Sequence, residues 1–208
     1  MRLRNVKNKE LILDSCDILI REPKDLKGKW KEYFGNNKPI YIEIGMGKGD
    51  FIIQNALKYP NINFIGIEKY DSVLVRAIEK LPDNISNLKF VRMDAKEIDE
   101  VFDKEVERLY LNFSDPWPKD RHYKRRLTSY VFLNKYDAIF SSKKEIHQKT
   151  DNRNLFEFSL VSLIENGYKI EDVCLDLHNS NRTNIIMSEY EKKFVAKNNT
   201  IYYLVAKK

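Results

Sequence analysis

Three apolar, β-branched runs in the first half of the chain each end in a carboxylate. Ile40–Ile44 (IYIEI) carries Glu43 near its end, Asn63–Glu68 (NFIGIE) closes on Glu68, and Leu88–Met93 runs into Asp94. Short apolar runs of this kind read as strands buried on both faces, as in a parallel sheet. Helical lengths separate them: Asp50–Leu57 before Pro60, then Ser72–Lys80 before Pro82. A fourth strand is expected at Arg108–Phe113, a fifth at Glu145–Lys149, and two more at Tyr168–Leu177 and Thr200–Ala206. Helices are expected at Tyr130–Phe140, at Asn154–Glu165 with Gly167 as its stop, and around Ile185–Lys197. The pattern implies an α/β fold, a mostly parallel seven-stranded sheet with helices on both faces, the last two strands free to pair antiparallel. Such sheets bind ligands beyond the carboxyl ends of their strands, where these acids stand.

A chain of 208 residues suits one domain spanning 1–208, with a basic arm over about residues 1–12. Its 12 Tyr and 11 Phe argue for a packed core and against disorder. No apolar run reaches the length of a membrane span, and the N-terminus has no signal-peptide pattern. Cys16 and Cys174 belong to no CxxC pair and read as reduced thiols, so the expected location is the cytoplasm. His122, His147 and His178 lack ligand spacing, and no metal centre is expected.

The net charge of +6 is concentrated in two places. Arg2, Arg4, Lys7 and Lys9 form the arm, and KDRHYKRR packs Lys119, Arg121, Lys124, Arg125 and Arg126 within eight residues. Either cluster alone reads equally well as a solvated face. Together they favour a nucleic-acid partner.

The first strand leads into Glu43-Ile-Gly45-Met-Gly47-Lys-Gly49. Glycines there allow a tight strand-to-helix turn and close approach of a ligand to backbone. Asp50 follows Gly49, so the GxGxxG spacing of a dinucleotide loop is not met, and the Ser/Thr and upstream Gly of a P-loop are missing. An acid followed by GxGxG fits an S-adenosylmethionine loop better. Glu68 can then accept ribose hydroxyls, and Asp94 can reach an adenine edge. A carboxylate-rich wall also suits a cationic sulfonium cofactor. The fourth strand runs into NFSDPWPKDRHYKRRL (Asn112–Leu127), where two prolines forbid further strand. Asp115 then stands at the sheet top, with Trp117 either buried or stacked on a base.

EIGMGKGDF, GIEKY, NFSDPWPKDRHYKRRL and KTDN (Lys149–Asn152) together resemble the bacterial tRNA (guanine-N7)-methyltransferase family, over nearly the whole chain. DPWPK followed by RHYKRR is the specific part; the glycine loop is shared by many methyltransferases. The resemblance implies a class I, Rossmann-like methyltransferase fold and methylation of guanine 46 in the tRNA variable loop. It implies cofactor contacts at Glu43, Gly45, Gly47, Glu68, Asp94 and Asp115, with Asp115 at the catalytic centre. It further implies substrate contacts at Lys119, Asp151, Ser188, Glu189, Tyr190 and Glu191. RNA contacts are implied along Arg121, His122, Tyr123, Lys124, Arg125 and Arg126. Ser188 stands where the family pattern has Thr, which keeps the hydroxyl. The cofactor is S-adenosyl-L-methionine, its product S-adenosyl-L-homocysteine, and the partner is tRNA. No obligate protein partner is expected of a monomer or homodimer.

Guanine N7 carries a lone pair and no proton, so attack on the sulfonium methyl needs no general base and no metal. Two other readings compete. A class I methyltransferase for a small molecule or protein would not need the basic clusters. A non-catalytic RNA-binding relative would not need the intact acids.

Overall fold

The computed structural model describes residues 8–208. Arg2, Arg4 and Lys7 of the expected arm lie outside the described residues; Lys9 bridges Asp71 at 3.6 Å. The chain runs α1 (Lys9–Asp14), β1 (Leu19–Ile20), α2 (Trp30–Tyr33), β2 (Ile40–Ile44), α3 (Asp50–Lys58), β3 (Asn63–Glu68), α4 (Asp71–Ile78) and β4 (Leu88–Arg92). It continues through α5 (Ile98–Val101), β5 (Val106–Asn112), α6 (Tyr130–Ile139), β6 (Phe140–Thr150), α7 (Arg153–Glu165), β7 (Lys169–Cys174), α8 (Glu189–Val195) and β8 (Tyr202–Lys207). The sheet order is β1-β4-β3-β2-β5-β6-β8-β7. All neighbours from β1 to β6 are parallel, and β8 pairs antiparallel with both β6 and β7.

Seven strands follow the sequence pattern, and β1 makes an eighth. Two residues, Leu19 and Ile20, pair with Phe90 and Val91 of β4, a run too short to show any periodicity. Strand β6 also starts earlier than the alternation suggests. A register shift lets Phe140 pair with Val106 while Glu145 pairs with Arg108, so five further residues join the strand. Helix α8 begins later than the charged stretch around it, because Ser188 caps it there.

Every residue of β3 is buried, as expected of a strand covered on both faces. One apolar cluster packs α5, α6 and α7 on one face of the sheet, around Trp30, Phe102, Tyr136 and Phe140. The other packs α3 and α4 against Phe64, Leu88 and Phe90. Each fully buried side chain of this size contributes about 1.5–3 kcal/mol. The carboxyl ends of β2, β3, β4, β5 and β6 therefore sit on a stiff platform.

Gly66 in β3 is glycine for want of space. A Cβ there would meet Met46 Sδ at 2.2 Å and the Phe90 ring at 3.2 Å. Met46 belongs to the turn after β2, so the second strand and that turn share one packing contact. Gly66→Ala is expected to cost about 1–3 kcal/mol by overpacking. A urea unfolding midpoint equal to that of the unchanged protein would show that the turn yields freely.

Candidate active site

The turn after β2 is stitched to the end of β3. Gly45 and Met46 both donate backbone N–H groups to the Ile67 carbonyl at 2.9 Å. Gly47 donates to Glu68 Oε2 at 3.1 Å, while Glu68 Oε1 accepts from the backbone of Lys69 at 2.9 Å and Tyr70 at 3.0 Å. Gly45 and Gly47 have φ of 74° and 58°, the left-handed region that side chains disfavour. One carboxylate thus fixes two loops. Burial pushes the Glu68 carboxyl up, against the pull of the three N–H donors.

In front of these loops opens a cavity of about 680 Å³, within the range of small-ligand sites. Gly45, Glu68, Asp94 and Asp115 line it, with Trp117 and Arg125 at the side where the basic segment begins. Asp94 accepts from the Lys96 backbone at 3.1 Å and faces the Lys69 ammonium at 3.2 Å. Burial works to raise its carboxyl, but these two partners outweigh burial and hold it below its ordinary range.

Glu43 and Gly47 are not on the cavity wall. Gly47 acts through its bond to Glu68. Glu43 is 1% exposed, accepts from Asn112 Nδ2 at 2.8 Å through Oε1, and leaves Oε2 without a partner among the described residues. Burial pushes its carboxyl up to about 8, against the Asn112 bond and the Lys149 charge.

The segment after β5 turns sharply. Phe113 and Trp117 take φ of 53° and 43°, strained for side-chain-bearing residues. Asp115 lies exposed between them. Tyr190 packs on Phe113 with ring centroids 5.0 Å apart. Burial first, then the carboxylates of Asp151 and Asp115, push the Tyr190 phenol up. Asp115 and Phe113 line the cavity, and Tyr190 sits on Phe113 within reach of the Asp151 and Asp115 charges. Lys119 is exposed at the start of the following 3-10 turn, Asp120–Arg125, and does not line the cavity.

Arg121, Tyr123, Lys124 and Arg125 are exposed along that turn. The Arg125 guanidinium lies 4.8 Å from the Trp117 ring centroid, and His122 meets the same ring edge-on at 5.8 Å. Lys124 Nζ lies 6.0 Å from the Tyr123 centroid and 5.9 Å from that of Tyr130. Arg126, the last residue of the expected RNA-contacting run, is placed differently from its neighbours. It is 8% exposed, and its guanidinium donates inward to the Pro116 and Trp117 carbonyls. The backbone reverses between Arg125 and Arg126, so the run of cations splits into an outward and an inward part.

Glu191 also departs from its expected role. It is fully buried and accepts from Lys149 Nζ at 3.0 Å, with His178 Nε2 at 2.9 Å. With Ser188 it forms a capping box: Ser188 Oγ accepts from Glu191 N at 3.1 Å, and Ser188 N donates to Glu191 Oε2 at 3.3 Å. The spacing S-x-x-E is a legible N-cap signal that the charge pattern obscured. The Glu191 carboxylate is bonded to Lys149, His178 and the Ser188 backbone, and it does not line the cavity. Glu189 pairs with Lys48 of the glycine turn at 2.7 Å. Bonds to Lys193 and then Lys48 hold its carboxyl down at about 2. Tyr190 is the exposed member of the segment. Lys149, Asn112 and His178 were not singled out by sequence; only the pairing of strand ends brings them together.

A mostly parallel sheet closed by an antiparallel hairpin, with a glycine turn after β2 and acids at successive strand ends, defines a class I, Rossmann-like methyltransferase. A family model described as "Putative methyltransferase" matches residues 37–204. A tRNA (guanine-N(7)-)-methyltransferase of Lachnoclostridium phytofermentans is 52% identical over 99% of this chain and 98% of its own. One from Listeria monocytogenes is 54% identical over 91% and 90%. A solved structure of a 16S rRNA (adenine(1408)-N(1))-methyltransferase from Catenulisporales acidiphilia, with cosubstrate SAM, has the same fold: TM-score 0.60 at 11% identity, over 86% and 89% of the chains. The chain belongs to the tRNA (guanine-N(7)-)-methyltransferase family.

Glu43 makes the stability of the protein depend on pH. Its folded carboxyl titrates near 8 against 4.5 for an ordinary one, so the folded state holds the proton more tightly. That stabilisation is complete below the unfolded value and is lost as pH rises through the folded one. Glu43→Gln is expected to flatten the loss and to exceed the unchanged protein in stability at alkaline pH. Denaturant midpoints at about pH 5 and pH 9 measure it; parallel declines in the two proteins would exclude a protonated Glu43.

Proposed function

We propose that the protein transfers the methyl group of S-adenosyl-L-methionine to N7 of guanine 46 in the tRNA variable loop, in the cytoplasm, as one domain with a basic arm. The observation that carries this reading is a cavity bearing Glu68, Asp94 and Asp115 at successive strand ends, alongside Lys69 and Lys96, next to an exposed basic and aromatic strip. The residues fit that cofactor. Glu68, Asp94 and Asp115 oppose a positive charge and accept from hydroxyl and amino groups, and the volume suits a nucleoside with an amino-acid tail. A carboxylate offers about four lone-pair sites, so Glu68 keeps one beyond its three backbone donors.

When bound, the cofactor supplies an electrophilic methyl on a sulfonium. Glu68 and Asp94 hold the adenosine end, while Gly45 lets it approach the backbone. Glu43 supports the turn from behind. N7 needs no deprotonation, so the protein's work is placement, which can supply about 7–11 kcal/mol in well-oriented systems. Asp115 accepts from the guanine edge and offsets the charge the ring gains. Asp151 and Tyr190 flank the base, and Ser188 and Glu189 hold Tyr190 through α8. Lys119, Arg121, Lys124 and Arg125 meet phosphates, with His122 and Tyr123 beside them, and Trp117 offers a stacking face.

Replacing Lys124 and Arg125 together with Ala is expected to weaken tRNA binding and reduce the log–log salt slope by about 0.7–0.9 per lost phosphate contact. Cofactor affinity should hold. An unchanged slope would make the strip an ordinary solvated face.

Asp115→Ala should fold and keep most tRNA affinity, because phosphate contacts dominate it. Single-turnover methylation with saturating cofactor should fall by at least about 10²-fold. Asp115→Asn should also be slow, since it keeps the shape without the charge. Activity should show no basic limb near neutrality. The functional reading itself is tested by labelling: tRNA with adenine in place of guanine 46 must lose the methyl. Equal labelling of both tRNAs would refute the assigned position, and a fast Asp115→Ala enzyme would refute the assigned residue.

A further inference from the structure

The segment Asp115-Pro116-Trp117-Pro118 presents a difficulty of its own making. Pro116 and Pro118 have no N–H, so two of its four residues donate nothing to neighbouring strands or loops. Trp117 stands at φ 43°, a conformation that surrounding structure must impose. Among the described residues, the hydrogen bonds to this segment from outside come from Arg126, while Arg125 and His122 pack on the Trp117 ring. The Arg126 Nε donates to the Pro116 carbonyl at 3.0 Å and its Nη2 to the Trp117 carbonyl at 3.1 Å. The same guanidinium lies 4.4 Å from the Phe158 ring centroid on α7.

Arg126 is itself bolted down. Its backbone N–H donates to Tyr123 O at 3.0 Å, and the Ser129 backbone donates back to Arg126 O at 2.9 Å. Beyond it, Thr128 and Ser129 are 1% and 0% exposed. Thr128 Oγ1 pairs with Ser159 Oγ at 2.7 Å, and Ser162 Oγ donates to Thr128 O at 2.7 Å. Buried hydrogen bonds from α7 to Thr128, the backbone from Thr128 to Arg126, and the part-buried guanidinium bonds therefore link α7 to the two carbonyls that follow Asp115. No carboxylate lies within ion-pair distance of Arg126 among the described residues, so its charge faces the two carbonyl dipoles and the Phe158 ring.

We propose that Arg126 is a positioning residue for methyl transfer: it clamps the Pro116 and Trp117 carbonyls and thereby fixes where Asp115 stands in the cavity. This rests on the functional reading above and extends it. Two donors on one rigid plane serve two successive carbonyls, which the single ammonium of a lysine cannot reproduce. Its neighbour Arg125 serves the outside of the same loop, stacked on Trp117 at the cavity rim.

Arg126→Lys tests the clamp, since it keeps the charge and most of the stem; Arg126→Gln is the second variant, and thermal melting checks that each folds. At saturating tRNA the single-turnover rate should fall by at least about tenfold, as expected of a small misplacement of a reacting group. The tRNA dissociation constant should stay within about twofold and the salt slope should not change, because no phosphate contact is lost. Trp117 gives a readout independent of activity. Of the two tryptophans, Trp30 is fully buried, so acrylamide quenching reports Trp117 and should increase in both variants. A weaker tRNA complex with a flatter slope, matching the Lys124/Arg125 double variant, would make Arg126 a phosphate contact and overturn the proposal. So would a normal rate, or a slowed rate with unchanged quenching. If the unchanged protein methylates no tRNA, the functional reading fails, while quenching still decides the clamp.

Discussion

Lys149 and Glu191 are buried together, 3.0 Å apart, where β6 ends beneath α8. All three Lys149 protons are used, two on Glu191 and one on the Ile186 carbonyl at 2.8 Å. Burial lowers the Lys149 ammonium's affinity for its proton, and the Glu191 charge counters that. A buried pair of this kind adds little net stability over an apolar pair of the same shape, but removing one partner typically costs about 3–5 kcal/mol. What the pair provides is geometry. It docks a seven-residue helix, too short to persist alone, at one place above the strand ends. The turn of α8 that carries Tyr190, the cap at Ser188 and the Glu189–Lys48 link to the glycine turn all inherit their position from it.

The site then separates charge by depth. Glu68, Asp94 and Asp115 line the cavity, with Lys69 and Lys96 beside Asp94, while the exposed cations of the 3-10 turn lie outside it, Arg125 excepted. Among the described residues, Lys119, Arg121, Lys124 and Arg125 make no ion pair with a carboxylate. Surface ion pairs elsewhere, such as Arg153–Glu157, contribute about 0–1 kcal/mol and leave the site untouched. A polyanion approaching the rim meets the cations first, and the carboxylates behind them repel any phosphate that would enter. Within about a Debye length of 8 Å the arrangement selects which part of a nucleotide goes inward.

The parts legible in the sequence were those written as local pattern. Short, nearly continuous apolar runs announced β2 through β5, and each has an acid at or near its carboxyl end because parallel strands all point the same way. The class of fold and the location of the site followed from that. Residues whose roles depend on register were not legible. Glu43 and Glu68 both read as cofactor acids, yet only Glu68 faces the cavity, since Glu43 points at Asn112 across β5. Arg126 looked like the last of a basic run, and one reversal of the chain buried it. Glu191 looked like a substrate contact, and its capping spacing, three residues after Ser188, held the correct reading. Strand β1 has two residues, so no period exists to be found.

These departures share a direction. Two residues expected to touch a ligand but found buried hold segments that reach the site: Glu191 docks α8, which carries Tyr190, and Arg126 holds the carbonyls that follow Asp115. That division follows from the chemistry. A reaction that abstracts no proton has no use for a titrating base at the centre, and gains from holding nitrogen, methyl and sulfur in line. Rigidity must then come from groups that desolvation would make costly if left unpaired, because such groups tolerate only one arrangement. Buried polar contacts lock the backbone at Phe113 and Trp117 into conformations it would otherwise leave, and strain of about 1–3 kcal/mol at each is sustained by the platform beneath. Asp115 is exposed, and its neighbours on both sides are not free to move. The sheet supplies the stiffness, and the buried charges convert it into a fixed place for one carboxylate.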